Sequence, residues 1–471
     1  MGCTMPAVAD VLLVKPAIPA PLDPDFRPVA LGNRAYGRAV AATKRPVPLA
    51  LALERSEGQV SVVQTEIVAA GSGMDGATRS YVERLVKFLL WQIGGWKLTI
   101  SGPPAVGDLI AATYSRKGVR AFDVRLMEMV YEKPLVVEIA EPTRVPAACE
   151  SAVALGGHLD GCRIGFDLGA SDYKLSAVRD GEPVFTTEIP WDPKNEPNPD
   201  WHYRKINDGL KLAAAHLPRV DAIGGSSAGI YIDNKVMVAS LFRAVPPVVF
   251  AGKVKPLFLN LQREWGVPLE VANDGDVTAL AGAMSLKTNG VLGVAMGSSQ
   301  AAGFLDSHGC ITGWLNELAF APVDYSPKAP ADEWSGDLGC GVQYFSQQAV
   351  GRLLAPAGID VDPKLGLPEK LKLVQTLMDK GDERAARIYE TLGVYLGYAA
   401  AQYATRYDYR HLLVLGRVTT GLGGDLIVAK AHEVLRTEFP EWATKLSLHL
   451  PDEKSKRVGQ AVAAASLPRI R

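Results

Sequence analysis

Cysteine is scarce and scattered. The 471 residues hold five, Cys3, Cys149, Cys162, Cys310 and Cys340, with no CxxC pair among them. That spacing argues against a disulfide framework and against a zinc module built on paired thiolates. Charge of one sign is missing too: 50 basic residues face 51 acidic ones, for a net charge of −1. Such a balance gives no general pull toward nucleic acid or an anionic membrane. No apolar run reaches the roughly 18 residues of a membrane span. The short run Val11–Val14 lacks the length and the basic lead of a signal-peptide core. A soluble cytoplasmic protein with neither nucleic acid nor membrane as partner is the expectation. What is present is apolar material: 48% of residues are hydrophobic, enough for two or three domains with sizeable cores.

The chain is organised around Cys162 to Val178, which reads as a strand, a tight turn at Gly169-Ala170-Ser171, and a second strand. A Gly-Ala-Ser turn leaves backbone N–H groups uncovered, and such groups cradle phosphates. Asp167 stands at the mouth of the turn, where a carboxylate could hold a hydrated Mg²⁺; an ordinary polar surface hairpin is the plain alternative. The grammar recurs at Val291 to Gly309. Gly165 matches Gly293, Gly169 matches Gly297, Ser171 matches Ser299 and Gly181 matches Gly309, all at an offset of 128 residues. A fixed offset points to internal duplication. Two such hairpins facing each other across a cleft would grip a polyphosphate from both sides, and only the first would carry a metal, because Ala295 replaces Asp167 in the second.

In chain order, residues 1–45 carry six prolines between Pro6 and Pro28 and read as an irregular lead-in. Residues 46–155 read as a small α/β module: a hairpin around Glu57-Gly58, a helix from Ala77 to Ile93, strands at Trp96–Ile100 and Leu135–Ile139, and a helix from Val106 to Tyr114. No helix-turn-helix with a basic recognition helix is present, so the module does not read as a DNA reader. Val220–Ile223 is a short strand running into Gly224 to Gly229, and a Gly/Ser loop after a strand is a usual ligand contact in an α/β sheet. The strand Pro268–Ala272 ends in Asn273-Asp274-Gly275-Asp276 before a helix. Asp276 is placed to cap that helix, leaving Asp274 free as a general base. Near the C-terminus a strand, His411–Leu415, runs into Gly416-Arg417 and a glycine-rich loop before a helix. The last helix, Lys454–Leu467, is rich in small residues and should pack closely on another element.

These motifs, in this order, resemble the ROK family (repressors, open reading frames and sugar kinases) within the actin/hexokinase/Hsp70-type ATPases, over residues 161–471. The resemblance implies a duplicated, two-lobed α/β ATPase fold. Its first lobe would span 161–275, with the helix 454–467 packing back on it, and its second lobe 276–453. It implies ATP and Mg²⁺ as cofactors. Asp167, Gly169, Ala170, Ser171 and Lys174 would form the first phosphate motif, with Asp167 on Mg²⁺ through water. Gly297, Ser298 and Ser299 would form the second, and Gly416, Arg417, Gly423 and Gly424 the adenosine motif. Asn273-Asp274 matches the pair whose Asp is the catalytic base, and Ser226, Ser227, Gly229 and Glu317 match sugar-contacting positions.

The departures lie in the sugar half. Where the family has a Gly-Glu-x-Gly-His segment, this chain has Asn316-Glu317-Leu318-Ala319-Phe320, so the zinc-binding His is Phe320. Of the family's zinc loop only Cys340 remains within Trp334 to Cys340, and no zinc is expected. The first expectation is therefore an ATP-dependent kinase acting on a hydroxyl of a sugar-like small molecule. A non-catalytic ROK-like sensor of sugar or nucleotide is the second, and a structural role with an assembling N-terminal module the third. A homodimer stays open.

Overall fold

The computed structural model describes residues 9–150, 155–169, 171–451 and 453–470. The chain divides into two compact units. One comprises Met1–Ser151, Val294–Ala302 and Trp314–Leu450; the other comprises Ala152–Gly293, Gly303–Gly313 and Pro451–Arg471.

The first unit opens with a four-stranded sheet in the order β2-β1-β3-β4. Its strands are β1 (Val47–Glu54), β2 (Val60–Ile67), β3 (Lys97–Ser101) and β4 (Val136–Ile139). β1 and β2 pair antiparallel, joined through Gly58 at a φ of 73°. The helix Asp75–Gln92 follows, its residues almost all buried from Ala77 onward. The lead-in, expected to be irregular over 1–45, instead contains a 14-residue helix, Val29–Ala42. Its buried stripe of Val29, Gly32, Tyr36 and Val40 has helical spacing. The prolines upstream and the glycine within the stripe hid that spacing. Gly32 is required there, because a Cβ would come within 2.7 Å of the Tyr325 ring.

The N-terminal residues do not form a module apart; they group with residues 314–450. The reason is a set of buried charges. Lys87, fully buried, bonds Asp123 at 3.0 Å and Asp337 at 2.6 Å. Arg120 bonds Glu83 at 2.6 Å and also reaches Asp337. Trp91 stacks on Phe320 at 4.2 Å between ring centres. The backbone of Asn316 and Glu317 donates to the carbonyls of Gln92 and Trp91 at 2.9 Å each.

The second unit is built on a five-stranded sheet in the order β11-β8-β5-β6-β7. Its strands are β5 (Cys162–Leu168), β6 (Asp172–Arg179), β7 (Glu182–Pro190), β8 (Ala222–Ser227) and β11 (Leu269–Asn273). β9 (Ile230–Ile232) and β10 (Lys235–Val238) form a separate hairpin turned at Asp233 and Asn234, both at positive φ. β5, β6 and β7 run as an antiparallel meander, and β8 and β11 continue the sheet in parallel. Ile164, Phe166, Leu175, Ile223, Phe258 and Leu269 lie in its core.

A sheet in the order β13-β12-β14-β15 repeats this plan. Its strands are β12 (Val291–Met296), β13 (Gln300–Leu305), β14 (His411–Leu415) and β15 (Ser447–His449). β5 ends at Leu168 and β12 at Met296; β6 begins at Asp172 and β13 at Gln300. Both pairs keep the 128-residue offset, and the matched Gly181 and Gly309 turn at φ of 86° and 82°. The boundary expected at 275/276 moves: the helix Asp274–Leu286 groups with the strands before it, and the division falls after Gly293. Ala279 of that helix packs under Gly293.

Removing one partner of a buried charge cluster leaves the others uncompensated, which costs about 3–5 kcal/mol. Lys87→Met strands Asp123 and leaves Asp337 with Arg120 alone. Its urea midpoint should fall steeply; a variant as stable as the parent would contradict the docking role assigned to this cluster.

Candidate functional site

The carboxylates singled out in the sequence come together in the second unit, at the C-terminal ends of its parallel strands. Register places them there. Asp167 on β5 lies beside Ser226 on β8, and Ser227 lies beside Asn273 on β11. Such strand ends are where open α/β sheets present ligand-binding groups. On the other side of β5, Asp167 faces Lys174 across the antiparallel ladder.

Asp167 is buried and supported from two sides. The Ser226 hydroxyl donates to its Oδ1 at 2.7 Å, and Lys174 Nζ stands 3.5 Å from its Oδ2. Burial pushes its carboxyl up, against the pull of Ser226 and Lys174. Asp274 is the first residue of the helix Asp274–Leu286 and retains some exposure. Its carboxyl is pushed up to about 6, by burial first and then by the nearby negative charge of Asp167. Two groups of one sign thus share a small volume, and each resists ionisation of the other.

Asn273, not Asp276, caps the helix. Its Oδ1 accepts from Gly275 N at 2.7 Å, while its Nδ2 donates to the Gly229 carbonyl at 2.7 Å. Asp276 points inward and accepts from the backbone N–H of Phe304 at 3.1 Å. The cap needs a side chain just before the first helical residue, and the helix starts at Asp274, three residues before the start that a cap at Asp276 implies.

Ser226 and Ser227 are both fully buried. Ser226 is committed to Asp167. Ser227 accepts from the Tyr231 hydroxyl at 2.6 Å. Tyr231 feels the charge of Asp274, which helps to raise its hydroxyl. The sequence reading missed Tyr231, although a Tyr just past a Gly/Ser loop was a usable signal. It also missed Trp191, whose indole N–H donates to the Gly169 carbonyl at 2.9 Å and braces the first turn. Ser171 is exposed beside that turn and donates to Asp172. Ala170 lies outside the described residues.

The remaining predicted residues lie in the first unit. Gly297 closes the second turn by donating to the Ser299 carbonyl at 2.9 Å, and Ser298 and Ser299 are exposed. Gly416, at a φ of 100°, packs on Met296, the residue just before that turn; a Cβ there would come within 2.5 Å of the Met296 carbonyl oxygen. The second phosphate turn and the adenosine motif are therefore neighbours. The Arg417 carbonyl accepts from Gln375 at 2.9 Å. Gly421 precedes the helix Leu422–Glu438, whose Gly423 and Gly424 sit against the Tyr389 ring and the Thr419 carbonyl. This helix begins three residues before its expected start at Asp425, and uncovered N–H groups at such a terminus suit an anion.

Glu317 opens a short 3₁₀ turn, Leu318–Phe320, held by the end of the helix Asp75–Gln92. The stretch matched to the zinc loop is held by charges: Asp337 meets Lys87 and Arg120, and the Cys340 thiol is buried and pushed up to about 11. Among the described residues, no group of three His, Cys, Asp or Glu side chains gathers to hold a metal. Among them, too, no helix is long and apolar enough to cross a membrane.

The raised Asp274 carboxyl has a cost with a definite sign. The folded protein holds this proton more tightly than the unfolded chain, so stability falls as pH rises from about 4 to about 6. Above that range the full cost, at most about 3 kcal/mol, is present. Asp274→Asn should therefore raise the urea midpoint at pH 7.5, and the gain should vanish below pH 4. A less stable variant at pH 7.5 would contradict the like-charge reading of the pair.

No protein-family model matches this chain, and no curated protein matches it in sequence. Solved structures do match. A ROK hexokinase from Thermus thermophilus superposes with a TM-score of 0.51 at 17% identity, covering 64% of this chain and 97% of that one. A ROK-family transcriptional regulator, a homologue of the E. coli Mlc protein, gives 0.53 at 19% identity, covering 65% of this chain and 78% of that one. At these identities the likeness is one of fold. It agrees with the two repeated sheets and their 128-residue offset. The chain thus has the fold of the ROK hexokinases and regulators, the two-lobed actin-like ATPase fold.

Proposed function

We propose that the protein is an ATP-dependent kinase that phosphorylates a hydroxyl of a sugar-like small molecule. The observation that carries this reading is the pair Asp167 and Asp274, with Asp274 pushed up to about 6 and partly open to solvent. A general base works best when its pKa lies near the operating pH, and a carboxylate in this range can take a hydroxyl proton. Asn273 fixes the backbone on which Asp274 sits, by capping the helix and tying it to Gly229.

The reaction needs little covalent work from the protein, since phosphoryl transfer is driven by positioning and charge stabilisation. Asp274 accepts the acceptor's hydroxyl proton. The oxygen forms its bond to the γ-phosphorus while the bond to the ADP oxygen breaks. Asp167 is a buried carboxylate at the mouth of a phosphate turn, which fits a Mg²⁺ held through water. Bound Mg²⁺ would neutralise charge on the phosphates. Lys174 and Ser171 beside the first turn would supply donors for phosphate oxygens, as would Ser298 and Ser299 of the second, while Gly169 and Gly297 hold the turns through N–H bonds to the Asp172 and Ser299 carbonyls. Gly416, Arg417, Gly423 and Gly424 would hold the adenosine. Ser226 supports Asp167, and Ser227, Tyr231 and Gly229 are left to shape the acceptor site.

A second reading is a sensor that binds nucleotide or sugar without turnover. Phe320 favours it: where a sugar kinase of this fold would carry a His, this chain stacks an aromatic ring on Trp91. ADP release from Mg²⁺-ATP across a panel of hexoses, amino sugars, polyols and nucleosides separates the two. The kinase reading predicts acceptor-dependent release that falls by about 10²-fold or more in Asp274→Asn. It also predicts a kcat/KM that rises with pH through about 6 as Asp274 loses its proton. ATP binding with no acceptor-dependent release would support the sensor; no ATP binding would overturn the kinase reading and leave only a sensor of sugar.

A further inference from the structure

The C-terminal helix Glu453–Ala465 comes back onto the second unit at backbone distance. Two glycines make room for it. Gly165 on β5 and Gly224 on β8 are direct neighbours across the parallel ladder. A Cβ on Gly165 would lie 1.7 Å from the Ala461 carbonyl oxygen, and one on Gly224 would lie 1.7 Å from the Ala464 carbonyl oxygen. No side chain fits at either place, so the pair forms a bare platform on which the helix backbone rests directly. Gly165 is two residues before Asp167, and Gly224 two before Ser226. The platform therefore sets the helix close to the strand ends that carry the site.

The helix brings one polar side chain there. Gln460 Nε2 lies 3.1 Å from Thr278 Oγ1, 3.3 Å from Ser226 Oγ and 3.3 Å from the Asp274 carbonyl oxygen. An amide nitrogen has two hydrogens, so three acceptors share them. One acceptor bonds the Asp167 carboxylate, and the other two belong to the helical turn that carries Asp274. Ser226 passes its own hydrogen to Asp167 at 2.7 Å. Thr278 passes its hydrogen to the Asp274 carbonyl at 2.7 Å. With its hydroxyl lone pairs accepting from Gln460, Ser226 has its hydrogen free to aim at Asp167, and that orientation is fixed.

We propose that Gln460 is a positioning residue for both carboxylates: through Ser226 it orients Asp167, and through Thr278 and the Asp274 carbonyl it fixes the first turn of the helix that bears Asp274. The catalytic consequence rests on the kinase reading above, whereas the geometry and the titration test below do not. Ala461 beside it, whose backbone rests on Gly165, belongs to the same arrangement: a helix face that looks like close packing alone also carries a hydrogen-bonding centre.

The test uses the full-length protein labelled with ¹³C at the Asp carboxyls, followed by NMR over pH in the parent, Gln460→Met and Gln460→Glu. Gln460→Met is nearly isosteric and removes the donor. The Asp167 midpoint should rise, because its Ser226 hydrogen bond loses direction. Gln460→Glu adds a third negative charge, so the Asp274 midpoint should rise by about one pH unit. Where turnover is measurable, Gln460→Met should lower kcat about tenfold with the KM for ATP unchanged, in the range typical of groups that support a reacting site. Gly224→Ala, which lifts the helix while keeping Gln460, should shift Asp167 in the same direction as Gln460→Met, and Gln460→Glu, nearly isosteric with the parent, guards against a variant that fails to fold. Midpoints of both carboxylates unchanged in the folded variants would overturn the proposal. Absence of turnover in the parent would count against the kinase reading alone, and the midpoints would still decide the role of Gln460.

Discussion

Two like charges held close together, Asp167 and Asp274, are the constraint around which the second unit is arranged. Neither would stay near the other in water. They do so here because Asp167 lies at the end of β5 and Asp274 directly follows β11, with β8 between the two strands and in register with both. Burial and mutual repulsion raise Asp274 to about 6. The surroundings hold the strain in place: Lys174 and Ser226 on Asp167, Asn273 on the helix start, and Gln460 from the returning C-terminal helix. A site of this kind is less stable than an apolar one, and under the kinase reading proposed above that destabilisation would make Asp274 a reactive base.

The first unit solves a different problem. It holds the segment 314–340 against the N-terminal residues. Two helices of that region bring Lys87 and Arg120 onto Asp337, and Trp91 onto Phe320. A buried charge cluster is satisfied only when all its members are present, so it fixes one arrangement of the segment and gives way when any member is removed. Phe320 and Asp337 thus both meet the N-terminal residues, one through a ring stack and the other through an ion cluster.

Much of this was legible in the sequence because it lies in spacing. The repeat of Gly165, Gly169, Ser171 and Gly181 at a constant offset foretold two sheets of one plan, and both appear with strand ends 128 residues apart. Asp167 and Asp274 were readable as strand-end carboxylates. The cap was misread, since an Asn followed by Asp-Gly-Asp offers three capping side chains and only the backbone decides between them. The helix Val29–Ala42 was hidden behind prolines and glycine. Gln460 was invisible for a stronger reason: its partners lie 182 to 234 residues away in sequence, and only the Gly165–Gly224 platform brings them together. Lys87 and Asp337 were unreadable for the same reason, because a charge pair separated by 250 residues leaves no local pattern.

The central claim is that the Asp167–Asp274 site moves a phosphoryl group from ATP to an alcohol. ³¹P NMR of the protein with Mg²⁺-ATP and an acceptor reports that transfer without a coupling enzyme. The account predicts a new phosphomonoester resonance that grows at the expense of the γ-phosphate signal and is absent with Asp274→Asn. Growth of inorganic phosphate alone, or an equal phosphomonoester yield from Asp274→Asn, would contradict it.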